Sequence, residues 1–90
     1  MILVKNIHSG NRRPSDGSCS WKEFWEKSKQ RKFGNCAKVD CVKHAEHGGH
    51  VKKVSSTDNS WYIIPLCVEH NNPNFTDAYS VNESDMLKIY

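Results

Sequence analysis

Two short pairs of side chains constrain this chain more than any other feature: Cys36-x4-Cys41 and Cys67-x2-His70. Each pair is close enough in sequence to grip one ion. Zinc takes four nitrogen or sulfur ligands in a tetrahedron, and a hairpin between two such pairs would bring them together. The x4 gap is longer than the commoner x2 spacing. His50 is a rival for the fourth ligand, and His44 and His47, nearer the first pair, are weaker rivals. Cys19 is the cysteine left over, and its place just before a helix start favours packing over metal binding.

The chain has good reason to use a metal. Its 90 residues make one domain, 1–90, with a zinc-binding core over 36–72. A chain of this size buries only about 60–65% of the surface that its unfolded form exposes. Such small cores are commonly stapled by disulfides or a structural ion. The opening "MILVKNIHSG" has no basic region before its apolar run and no small-residue cleavage site, so it does not read as a secretory leader. No apolar stretch approaches the roughly 20 residues of a membrane span. The expectation is a cytoplasmic protein with no membrane partner, in which cysteines bind metal rather than pair. A net charge of +3 permits contact with nucleic acid without demanding it.

Residues 2–7 read as a β-branched strand, and 9–18 as a loop with a basic spot at Arg12 and Arg13. Ser20 and Glu23 then form a capping-box pattern, with Cys19 and Phe24 at the hydrophobic-staple positions. Trp21, Phe24, Trp25 and Ser28 share one helix face, which reads as core. Lys22, Lys27, Lys29, Arg31 and Lys32 fill much of the rest, as a solvated surface or as phosphate contacts. Gly34 marks the expected helix stop. Residues 44–54 and 61–66 read as the strands of a β-hairpin joined by a polar turn of about six residues, with Pro65 limiting the ladder. After Cys67 a short helix is expected, broken early by Pro73. Residues 75–85 read as irregular, and 86–90 as a last strand beside 2–7. The fold class is α+β, with one N-terminal amphipathic helix and short flanking strands.

A cysteine pair, a hairpin and then Cys-x-x-His at a new element resemble a treble-clef zinc finger. The combination "GGHV…WYIIPLCVEHNN" is similar to the ββα-metal core of HNH endonucleases. The likeness covers residues 36–72. The chain also resembles small bacterial and phage proteins of HNH type that carry no known activity. The resemblance implies His50 as general base, Asn59 as the residue that orients it, and Asn71 as ligand of a catalytic Mg²⁺ or Mn²⁺. A structural Zn²⁺ on Cys36, Cys41, Cys67 and His70 would hold the frame. Gly49 stands where the family carries an acid beside the base, so His50 and Asn71 offer a hard cation only neutral ligands.

Two functions follow. The favoured one is a zinc-stapled module with a degenerate nuclease site that binds DNA or another nucleic acid, or a protein partner. Arg12, Arg13, Lys27, Lys29, Arg31, Lys32, Lys52 and Lys53 would supply the phosphate contacts. The alternative is an active HNH-type endonuclease. There neutral His50 takes a proton from water, and a divalent ion between His50, Asn71 and the phosphate stabilises the leaving oxygen.

Overall fold

The computed structural model describes residues 1–7, 17–54 and 57–89. Among these residues five strands and one helix run in the order β1 (Ile2–Asn6), α1 (Trp21–Lys29), β2 (His47–Lys53), β3 (Tyr62–Leu66), β4 (Tyr79–Val81) and β5 (Leu87–Lys88), with a 3₁₀ turn at Glu83–Asp85. The strands form one antiparallel sheet in the order β4-β1-β2-β3-β5. The fold is α+β. Among the described residues no helix is long and apolar enough to cross a membrane.

The expected hairpin is the centre of the sheet, with Val51 opposite Tyr62 and Gly49 opposite Ile64. Alternation along each strand gives the sheet two different faces. One gathers Val4, Val51, Tyr62, Ile64, Leu66, Tyr79 and Val81 with Cys36 and Cys67 in a buried cluster. The other presents Ile63 to Trp25, Phe33 and Ala45, and here α1 packs across β2, β3 and β5. Metal ligands and helix therefore lie on opposite sides of the sheet.

The glycine pair in β2 fits these two layers. A Cβ on Gly48 would stand 2.8 Å from Trp21 Cβ and 2.9 Å from the Trp21 backbone carbon. A Cβ on Gly49, pointing the other way, would overlap Leu66. One glycine admits the helix N-terminus, and its neighbour admits the end of β3.

The helix start is built nearly as expected. Ser20 Oγ accepts from the Glu23 N–H at 3.1 Å. The Glu23 carboxylate reaches one residue further back than a capping box requires, accepting from the Cys19 N–H at 3.0 Å. Cys19 itself is exposed, so the expected staple with Phe24 does not form. Phe24 packs against Trp21 instead. The helix also stops earlier than Gly34 implies, at Gln30, which takes the left-handed conformation with φ 58°. Phe33 then turns into the core, its N–H donating to Glu26.

The C-terminal segment departs further. Residues 79–81, expected as irregular, form β4 and occupy the edge of β1. The last strand, β5, pairs with β3 and not with β1. The 3₁₀ turn between them is pinned by Trp25, whose Nε1–H donates to the Asp85 carbonyl at 2.9 Å. Tyr79 and Val81 alternate inward, but with only three residues this signal is hard to separate from a loop.

Residues 37–39 link the two sides of the sheet. The Ala37 N–H donates to the Pro65 carbonyl of β3 at 2.8 Å, and the Val39 N–H to the Ser80 carbonyl of β4 at 2.9 Å. Strand edges that would otherwise stand open are thereby covered. After Cys67 the expected short helix is a single turn, closed by the Asn71 N–H on the Cys67 carbonyl at 2.9 Å. The treble-clef expectation thus meets its hairpin and its two ligand-bearing turns. Among the described residues, a five-stranded sheet and this one turn stand in place of a closing helix.

Candidate metal centre

The ligand atoms of Cys36, Cys41, Cys67 and His70 all lie within 4.8 Å of one another. His70 Nδ1 is 3.2 Å from Cys67 Sγ and 3.6 Å from Cys36 Sγ. Cys41 Sγ is 4.0 Å from Cys67 Sγ. A tetrahedron drawn from Zn–S and Zn–N bond lengths has edges of about 3.8 Å between sulfurs and about 3.5 Å between sulfur and nitrogen. The four side chains fit such an ion. His70 completes the set; His50, His44 and His47 are not in it.

Local backbone structure places each ligand. The Cys36 N–H donates to the Lys43 carbonyl, and the Cys41 N–H to the Lys38 carbonyl. Asp40, at φ 71°, turns the chain between them, which is how a four-residue gap still points both sulfurs inward. Cys67 sits at the exit of β3, and the turn through Asn71 brings His70 back over it. The exposed Lys43–Glu69 ion pair runs between the two ligand-bearing turns.

A polar chain from the other end of the sequence supports His70. Asn6 Nδ2 donates to the His70 carbonyl at 2.7 Å, and Asn6 Oδ1 accepts from the Tyr79 hydroxyl. The His70 ring rests on Phe75, and Phe75 on Tyr79. Asn6 and Tyr79 escape sequence reasoning because neither stands near the ligand motif.

The electrostatics suit a cation. Burial pushes the Cys36 thiol up to about 12 when no positive ion offsets it. Binding a metal there must release that proton. Burial, and then the charge of Lys38, hold His70 below its ordinary value, so its imidazole is neutral and able to coordinate. Burial also raises Tyr79, with Cys36 and Cys67 adding to it, which keeps its hydroxyl a donor toward Asn6.

The residues implied by the HNH resemblance lie apart from this cluster. The His50 ring packs edge-on against Trp21 at 4.8 Å between centroids, on the helix side of the sheet. Asn71 Oδ1 lies 3.1 Å from where a Gly49 Cβ would stand, on the metal side. Both residues border a small cleft of about 70 Å³ with Asn6, Ile7, Asn72 and Pro73. Asn59 is exposed in the connection between β2 and β3. Asn72 accepts from the Asn74 N–H at 2.8 Å and so shapes the turn.

Three of the basic residues singled out in and just after the helix already have acidic partners. Lys27 pairs with Glu23 at 3.3 Å, Lys32 with Glu26 at 3.8 Å and Arg31 with Asp85 at 3.0 Å, while Lys53 on β2 pairs with Asp58 at 3.4 Å. Lys29 and Lys52 are half-buried, and Arg12 and Arg13 lie outside the described residues.

No protein-family model, curated protein or solved structure matches this chain. The HNH likeness rests on its own residues alone.

Proposed function

We propose that this chain is a zinc-stapled nucleic-acid-binding module in which the metal is structural. The observation that carries the structural-metal part of this reading is the Cys₃His cluster. Four protein ligands fill a tetrahedron and leave no position for water, which is the pattern of a structural rather than a catalytic zinc site. The ion would tie the 36–41 loop to the end of β3, and that loop bridges the sheet from β3 to β4.

A hydrolytic reading has less support. It needs one Mg²⁺ or Mn²⁺ held between His50 and Asn71. Both border one small cleft, but the His50 ring packs edge-on against Trp21, and Asn71 Oδ1 is directed toward Gly49. Gly49 brings no carboxylate to a hard cation. Any nuclease site here is degenerate.

The test is zinc content together with retention of mixed-sequence DNA and RNA at low and high salt, with Mg²⁺ or Mn²⁺ present. One zinc per chain and salt-sensitive retention without cleavage are expected. Cleavage that disappears in His50→Ala would replace this reading with the nuclease. A zinc-loaded chain that retains no nucleic acid would point to a protein partner instead.

A further inference from the structure

Lys5 on β1 and Lys52 on β2 stand directly opposite each other in the sheet register. Like charges so placed repel and cost the fold stability. Among the described residues neither lysine has an ion-pair partner. Lys27, Arg31, Lys32, Lys43 and Lys53, by contrast, are each matched with an acid.

The surroundings of this pair are also unusual. Alternation places Lys5 and Lys52 on the same side of the sheet as His50. Continuing the β2–β3 register one step beyond Val51 and Tyr62 sets Trp61 across from Lys52. Leu3 and Val54, next along the same side, are each 42% exposed and joined by a backbone hydrogen bond of 3.0 Å. Ser80 lies opposite Leu3, so no carboxylate occupies these paired positions. The patch offers exposed Lys5, half-buried Lys52 and Trp61, and two aliphatic chains.

We propose that this face of β1 and β2 binds single-stranded nucleic acid. Lys5 and Lys52 neutralise neighbouring phosphates, and a base stacks on Trp61. Charge complementarity selects the partner: a polyanion relieves the repulsion that the free protein bears between its two lysines. The shape selects the single strand, because a sheet face offers a stacking platform along a cationic track, whereas a duplex presents its bases only inside grooves. The inference rests on reading the chain as a nucleic-acid-binding module and adds where the strand lies.

The experiment uses the full, zinc-loaded chain, with metal content and the urea midpoint measured for every variant. Binding is read as fluorescence anisotropy of a labelled oligodeoxythymidine, of a duplex of equal length, and with phosphatidylserine vesicles as a separate arm. The single strand should bind best, with log K falling against log salt at a slope near −1.4 for two phosphates. Lys52→Glu creates an opposite-charge pair with Lys5, so its urea midpoint should hold or rise while oligonucleotide affinity falls about tenfold or more. Trp61→Leu should lose a similar factor. If the native chain binds and Lys52→Glu binds equally well, this face is wrong and the broader reading survives. If the zinc-loaded native chain binds neither these DNAs nor a mixed-sequence RNA, both fail. Equal affinity for the duplex, or binding to vesicles alone, also overturns the single-strand assignment.

Discussion

Asn6 holds the backbone of His70 from 64 positions away: its side-chain amide donates to the His70 carbonyl at 2.7 Å. The same amide accepts from Tyr79, so β1, β4 and the second ligand-bearing turn share one polar link. Removing a part-buried partner costs more than the net worth of the bond, because the group left behind stays unsatisfied. Asn6→Ala should therefore lower stability by about 1–3 kcal/mol in urea titration. It should also speed zinc transfer to a chelator, since His70 loses its support. Asn6→Asp keeps the acceptor for Tyr79 but loses the donor to His70, so it should shed zinc nearly as fast. A variant with native stability and native zinc exchange would remove Asn6 from the support of this centre.

The Gly48–Gly49 step should tolerate no side chain on either face. A Cβ on Gly48 meets Trp21 backbone, which cannot swing aside as a flexible side chain would. Gly48→Ala is expected to cost about 1–3 kcal/mol or more, in the range of overpacked cores. Gly49→Ala drives a methyl into the Leu66 side chain and crowds Asn71, at a smaller cost because these side chains can shift. Urea midpoints check both. A Gly48→Ala chain as stable as the native one would mean that the helix N-terminus does not pack onto Gly48.

Asp58 gives the fold an acid-sensitive contact. Its carboxylate accepts from the Ser60 N–H at 2.9 Å and the Tyr62 hydroxyl at 2.6 Å, and it pairs with Lys53. Hydrogen bonds from Ser60 and then Tyr62 hold it well below the ordinary carboxylate range. In the unfolded chain it titrates near the usual value of about 3.9. As pH falls, the unfolded chain takes up the proton first. The contribution of Asp58 is thus fully present above about pH 4–5 and fades below it. Asp58→Asn should lower the urea midpoint of the zinc-loaded chain at pH 7, and that deficit should shrink as pH falls toward the limit at which zinc is still retained. Parallel curves for the two proteins would contradict this.

Much of the site is legible in sequence, and less of the sheet. The ligand pairs stand out because metal chemistry restricts residue type and spacing together, so Cys36, Cys41, Cys67 and His70 can be picked without coordinates. The β2–β3 hairpin is legible because alternating apolar positions flank a polar turn. β4 is only three residues long and β5 only two, too short to show a period. Their pairing is decided by which edge lies free, and Tyr79–Val81 occupies the β1 edge. Nothing local in "NESD" announces that Trp25 and Arg31 will hold that turn. The stop at Gln30 is likewise a tertiary outcome, set where Phe33 turns into the core rather than at the nearest glycine. Asn6 and Lys5 are ordinary strand residues until register brings His70 and Lys52 beside them.

A zinc ion on Cys36, Cys41, Cys67 and His70 is expected to hold this fold together. Small metal-stapled domains commonly fold only when loaded. The most direct measurement is a thermal melt of the zinc-loaded chain beside the same chain stripped with a strong chelator, with residual zinc assayed in both. The expected result is one zinc per chain and a cooperative transition that vanishes on stripping and returns when zinc is restored. A zinc-free chain that melts cooperatively at the native midpoint would contradict it.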